Sequence, residues 1–429
     1  MKTKTQQIKL TCVAAALCAL SAHAQAQSFT DVVQNALTIY PSMLAAKAKT
    51  EAQRSDIDRA RAAHMPQISY GFARSKYNNS DLPASIKQNA STPTARLNLW
   101  SGGRIEADAE RAEALTLSNE LQEALTRDDV ALLAAEAYIN WARSIELLEL
   151  ATKNVDSIKI TLNDIQKIAD ADTGRRIDLE QAQVRMDSAN LTKLQRQTEL
   201  AQAQQRLSRF WQGALPKTPV GLKEALSPNG RLGRVPQNLN QVLDAVTESL
   251  PAIAQQKAQV DAAEAAVRMA KGQYWPTVDL SATRQLNLVS SFPATYKEDT
   301  FTQVQVNMPL YSGGATSAGV RTAVSQLTAA QNTLDEARLL AREKISVAYQ
   351  EWVNAQGRSV QGQNQARVGD KVVEGYRQQF RLARRQLLDL LNIQAEAFGY
   401  QSAATTAFYD EQITRARMLA AMGDLAKRF

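Results

Sequence analysis

The sequence predicts a mainly helical chain that also carries a few membrane β-strands, and three observations predict it. The chain is written twice, with landmarks that recur at a spacing of about 210 residues. Each copy holds a helical run of roughly 66 residues, which at 1.5 Å per residue is ~100 Å and too long for a compact domain. Each copy also holds two segments in which apolar residues alternate with small or polar ones, the pattern of a strand with lipid on one side and water on the other.

The N-terminus decides the compartment. Lys2, Lys4 and Lys9 lead into an apolar stretch from Leu10 to Leu20, followed by Ser21-Ala22-His23-Ala24-Gln25-Ala26. This is the layout of a secretory signal peptide over residues 1–26, cleaved after Ala24 or Ala26. Its apolar core is shorter than the roughly 20 residues of a spanning helix. Both cysteines, Cys12 and Cys18, lie in this leader, and neither follows the Gly, Ala or Ser expected before a lipidated cysteine. The mature chain is therefore expected to lack thiols, disulfides and a cysteine-linked lipid. Losing three lysines and no acid lowers the net charge from +7 to +4, too little basic excess to argue for nucleic acid. No later window reads as a spanning helix, so the exported chain is periplasmic, secreted or part of an outer-membrane barrel.

The repeat organises the rest. Pro41 and Pro251 are 210 apart, as are Pro66 and Pro276. Trp100-Ser101-Gly102-Gly103 and Tyr311-Ser312-Gly313-Gly314 are 211 apart, as are Tyr138/Trp141 and Tyr349/Trp352. The repeats occupy residues 27–211 and 239–429, joined by a linker over 212–238 that holds Pro216, Pro219, Pro228, Pro236 and four glycines. Within each repeat a helical segment comes first (about 29–63 and 239–273), with Pro41 or Pro251 in the first turn of its longer part. Two strand-like segments follow, and Ser-Gly-Gly makes the turn into the long helix (104 to about 169, and 315 to about 382). A short interruption and a returning helix complete each repeat.

The second long helix carries a heptad row: Val320, Leu327, Leu334, Ala341, Ala348 and Ala355, with Val324, Ile345 and Trp352 offset by four. The first is less regular, although Leu125, Leu132 and Ile139 keep the period. Among the strands, Ile68, Tyr70 and Phe72 alternate with Ser69, Gly71 and Ala73, and Leu97 and Leu99 with Arg96 and Asn98. Val278, Leu280 and Ala282, and then Val304, Val306 and Met308, repeat the pattern. Trp100, Tyr274, Trp275 and Tyr311 cluster at one end of these strands, where aromatics mark a membrane–water interface. A soluble sandwich would give similar alternation. Four strands are too few to close a membrane barrel, which takes about eight or more, so copies must share one. The strands alone do not choose between two copies and three.

This duplicated order, together with Phe380 to Asn392 (FRLARRQLLDLLN), resembles the TolC-like outer membrane factor family over the whole mature chain. The resemblance implies a homotrimer with a twelve-stranded β-barrel in outer-membrane lipid, continued by a coiled α-helical tunnel through the periplasm. Its closed end would dock on a periplasmic adaptor and an inner-membrane transporter of the ABC type. The docking tips would be Asp172, Thr173 and Gly174 in one hairpin and Leu382, Ala383 and Arg384 in the other. The resemblance makes Arg385 and Asp178 the partners of a gate latch; symmetry at the tunnel mouth would repeat Asp389 as a ring of like charge, with Asn392 where relatives often carry a second carboxylate. The run ARRQLLDLLNIQAEAF (383–398) is similar to the tip of members that serve one-step protein secretion, large adhesins among the cargoes, and with the missing lipidated cysteine it implies that role. A multidrug efflux component is the alternative, and a periplasmic coiled-coil adaptor or structural protein the second alternative.

No catalytic set is visible. His64 is the sole histidine outside the leader, Ser-Gly-Gly lacks the frame of a nucleophile elbow, and it lacks the lysine of a phosphate loop. Neither an enzyme, nor a metal site, nor a cofactor is expected.

Overall fold

A computed structural model describes residues 28–77, 86–211, 218–227, 229–233, 235, 238–240, 243, 249–290, 295–382 and 384–429. The expected leader over 1–26 lies outside them, as do linker residues 212–217, 228, 234, 236 and 237. Ser28 opens the first helix, α1 (Phe29–Ile39), with a capping box: its hydroxyl accepts from the Asp31 N–H while the Asp31 carboxylate accepts from the Ser28 N–H. Tyr40 is extended because a residue before proline avoids the helical region, and Pro41 then starts α2 (Pro41–Arg61). Next come β1 (Gln67–Tyr77), β2 (Ile86–Trp100), the 68-residue α3 (Arg104–Ala171) and the returning α4 (Arg176–Leu207). The linker contributes a short α5 (Leu222–Leu226). The second repeat gives α6 (Pro251–Lys271), β3 (Thr277–Ser290), β4 (Thr295–Asn307), the 67-residue α7 (Ala315–Arg381) and α8 (Leu387–Ala421).

The chain divides into two compact units. One holds Ala45–Leu125 and Thr247–Ala341, and with them the sheet. Its four strands run β1-β2-β3-β4, each antiparallel to the next. The register puts Ile68 opposite Ala95, Leu97 opposite Leu280, and Leu280 opposite Val304, so the apolar rows expected from alternation share one face. Gln67, Arg96, Ser281 and Gln303 form part of the other. A bulge at Asn98/Trp100 brings Trp100 opposite Val278 and so turns its ring onto the apolar face. Beside the sheet, Val320 and Leu327 of the heptad row pack on Val267, Ala270 and Ala323. Val324 of the offset row is exposed.

The other unit contains the described parts of Met1–Leu44, Thr126–Val246 and Arg342–Phe429. At its centre the rings of Phe29 and Tyr138, and of Tyr138 and Trp141, meet edge to face at 5.3 and 5.2 Å. The linker is part of this core: Leu222, Ala225 and Leu232 are buried in it, and the Val220 carbonyl accepts from both the Phe29 N–H (2.9 Å) and the Tyr138 hydroxyl (2.8 Å). Burial pushes the Tyr138 phenol up to about 12, so it stays a donor. Burial also raises the Tyr409 phenol, whose hydroxyl donates to Glu146 at 2.9 Å. The Asp128 carboxylate accepts from the Ala426 N–H at 2.7 Å and ties the last turn to α3.

Candidate functional site

Two regions carry the residues singled out by sequence, one in each unit. The first is the pair of hairpin tips. α3 stops at Ala171, and the Asp172 carboxylate caps the following turn by accepting from the Gly174 N–H at 3.0 Å. α7 stops at Arg381, and the Arg384 N–H donates back to the Gln379 carbonyl at 2.9 Å. Asp172, Thr173, Gly174, Leu382 and Arg384 are all exposed, and Ala383 lies outside the described residues. Beneath them Leu387 and Leu391 pack on Ile165 and Ala182, with Leu162, Ile168, Leu179 and Phe380 around them. Leu390 is buried too, whereas Leu388 is 47% exposed.

The residues expected at the gate find partners close in sequence. Asp178 pairs with Arg175 at 2.9 Å, one turn away. Arg385 lies 3.7 Å from Asp389, donates to Gln379 at 3.1 Å and sits 4.3 Å over the Tyr376 ring. Within one chain, then, Arg385 and Asp178 each have other partners. Asn392 is bonded across hairpins, accepting from Arg185 at 2.9 Å. Sequence reading missed Arg185 and Tyr376. It also missed a buried polar junction, in which Gln394 donates to Thr161 (3.1 Å) and Arg377 to Ser157 (3.1 Å). A signal for Gln394 exists: it continues the apolar row of Leu387 and Leu391 at helical spacing, where a polar residue must find buried partners.

The second region is the sheet and its aromatic end. Trp100 closes β2, Tyr274 and Trp275 precede β3, and Tyr311 follows β4, so all four stand at one end of the antiparallel sheet. All are exposed, and the Trp100 and Trp275 rings meet edge to face at 6.3 Å. The apolar face is bare: Ile68 is 83% exposed, and Tyr70, Phe72, Val304 and Val306 are also exposed. The opposite face is wired with polar contacts, Arg96 to Asp279 at 2.7 Å and Asn98 to Asp279 at 2.9 Å. A sheet that is apolar outside and hydrogen-bonded inside suits a wall between lipid and water.

The family model described as "Outer membrane efflux protein" matches residues 32–212 and 242–424, one segment for each repeat. The chain belongs to the outer membrane efflux protein family. It is 25% identical over 384 residues to the outer membrane efflux protein BepC of Brucella suis biovar 1, covering 88% of this chain and 81% of the relative. It is 22% identical to the outer membrane protein TolC of Escherichia coli K12 over 433 residues, 95% of this chain and 85% of that one. In fold it is similar to the open-state MtrE outer membrane channel of Neisseria gonorrhoeae, with a TM-score of 0.79 at 17% identity over 93% of this chain and 90% of the other. Family membership makes this an outer-membrane channel component with a periplasmic extension, working with an adaptor and an inner-membrane transporter.

Among the described residues no helix is long and apolar enough to cross a membrane, and no three His, Cys, Asp or Glu side chains group to hold a metal. His64 sits 3.2 Å from Glu106 at the end of α2's helical run.

Proposed function

We propose that three copies of this chain form one twelve-stranded barrel and helical duct, and that the duct is the exit of an efflux system for small molecules. One observation carries the assembly: the four-stranded sheet exposes an apolar face and leaves β1 and β4 as open edges. In lipid every edge N–H and C=O needs a partner, and four strands are fewer than the roughly eight that close a barrel. Joining β4 of one copy to β1 of the next pairs both edges and closes a ring. α4 supports this, because Ile177, Val184 and Leu191, spaced by seven, are exposed and offer a seam for a helix of another copy.

In this reading the tips form the periplasmic mouth. Asp389, repeated by symmetry, makes a ring that favours cations, and Asn392 in place of a further carboxylate keeps that ring weaker. Asp178 and Arg385 hold the mouth shut, and residues 172–174 and 382–384 meet the adaptor. Trp100, Tyr274, Trp275 and Tyr311 lie at the membrane interface. The partition is the leader 1–26, repeats 27–211 and 239–429, and the linker 212–238.

The family description and BepC's name favour efflux. The run ARRQLLDLLNIQAEAF over 383–398, which resembles tips of secretion members, favours the second reading: protein export with an ABC-type transporter. Deleting the gene separates them. New drug sensitivity with an unaltered secretome supports efflux, and loss of a large surface protein with unchanged drug tolerance overturns it. Mass measurement in detergent tests the assembly, and a monomer overturns the trimer.

A further inference from the structure

Beside the second hairpin tip lies a groove of about 810 Å³ with an unusual balance of charge. Ile168 and Phe380 lie in its wall, and Arg175, Arg381, Arg384 and Arg385 line it against the single carboxylate of Asp164. Two of these guanidinium groups are already engaged, Arg175 with Asp178 and Arg385 with Asp389 and the Tyr376 ring. Arg381 and Arg384 are exposed and have no ion-pair partner among the described residues.

The tip's own carboxylates do not answer them. Asp172 accepts from the Gly174 N–H, Asp170 accepts from Gln166 at 2.8 Å, Asp178 is held by Arg175 and Asp389 faces Arg385. The chain thus presents two unspent guanidinium groups at the rim of a partly apolar groove whose own acid is Asp164 alone, while Asp170, Asp172, Asp178 and Asp389 are already bonded. A guanidinium in such a place selects a carboxylate, because two parallel N–H donors match its two oxygens and the apolar wall limits competition from water.

We infer that this groove receives the carboxylate side chains of the adaptor's helical-hairpin loop, with Arg381 and Arg384 setting which adaptor is accepted. The inference rests on the channel reading above, in which these tips meet the adaptor, and it adds the chemistry of the contact. Association then depends on ionic strength, since a charged contact at an exposed rim is screened by salt.

The test uses the full-length assembly in detergent and two disulfide-closed helical-hairpin peptides, identical except for two Glu or two Gln in the loop. Fluorescence anisotropy is expected to show the Glu hairpin binding about tenfold tighter than the Gln hairpin, with the advantage shrinking in high salt. The advantage is lost in the double variant Arg381→Gln/Arg384→Gln and kept in Arg176→Gln, an exposed tip arginine that does not line the groove. Equal binding of the two hairpins, binding of neither, or a preference that survives the double variant overturns the inference. So does a double variant that conducts more without any peptide, because the two arginines then close the pore between copies. Wild-type mass and bilayer conductance are measured on the same preparation. A monomer without conductance locates the failure in the channel reading instead.

Discussion

Replacing Gly102 by alanine is expected to be far more costly than replacing Gly313, its counterpart in the second repeat. Both follow the serine of a Ser-Gly-Gly turn, and both have left-handed backbone, with φ of +67° at Gly102 and +62° at Gly313. A side chain there costs ~1–2 kcal/mol in dihedral strain alone. The surroundings differ. A Cβ on Gly102 would lie 2.5 Å from the Trp275 Cβ and 2.8 Å from the Gly272 carbonyl oxygen, whereas a Cβ on Gly313 meets nothing within 4 Å. The Gly272 carbonyl is backbone, so relief requires moving the turn ahead of β3, and overpacking of this kind adds roughly 1–3 kcal/mol. The expected losses per chain are therefore about 2–5 kcal/mol for Gly102→Ala and about 1–2 kcal/mol for Gly313→Ala. Gly103→Ala is a second control, at φ +78° with open space around it. The assay is the heat-dissociation midpoint of the detergent-solubilised assembly, read beside the amount recovered in outer membranes. Equal midpoints for Gly102→Ala and Gly313→Ala would refute the claim that close backbone approach, rather than the turn type, fixes this glycine.

Three further outcomes are expected. Leu387→Ala and Leu391→Ala each remove a buried side chain at the tip and should cost roughly 2–5 kcal/mol, while exposed Leu388→Ala stays within about 0.5 kcal/mol, all read by denaturant unfolding. Arg385→Ser removes at once its contacts with Asp389, Gln379 and Tyr376, and Asp178→Ala frees Arg175; single-channel conductance should rise in both, and unchanged traces take these residues out of the gate. Burial raises the Asp128 carboxyl above its ordinary range, with the Ala426 N–H only partly opposing it. The folded chain then binds that proton more tightly than the unfolded one, so stability falls as pH rises from the ordinary carboxylate value through the raised one. Asp128→Asn keeps an oxygen for the Ala426 N–H and should flatten that slope in unfolding measured across pH, and an identical slope assigns the dependence to another group.

The elements were legible because their signals are local. Pro41 and Pro251 start helices by fixing φ, Ser-Gly-Gly supplies left-handed turns, and alternation along the strands predicts a common apolar face that the register confirms. The tip contacts were less legible, because each charge has several partners within reach. Asp178 pairs with Arg175 at i−3 and Arg385 faces Asp389 at i+4, spacings at which one helix turn already holds both groups. Arg185 bonds Asn392 only because two hairpins pack in one particular register, and no local pattern encodes that.

The repeat itself hides a difference between the halves. Tyr138/Trp141 and Tyr349/Trp352 occupy matching positions, and both pairs meet edge to face, at 5.2 and 5.9 Å. Yet, although Trp141 and Trp352 are both buried, Tyr138 is completely buried where Tyr349 is half-buried, because α1 brings Phe29 and the linker brings Val220 onto the first pair. The linker exists once, so it can complete only one of two equivalent sites. Periodicity therefore predicts an element twice, while the side chain's environment depends on a segment that periodicity reads merely as a break. For Tyr138 that environment decides the chemistry: desolvation holds the phenol protonated, and its hydrogen bond to Val220 fastens the linker to the first long helix.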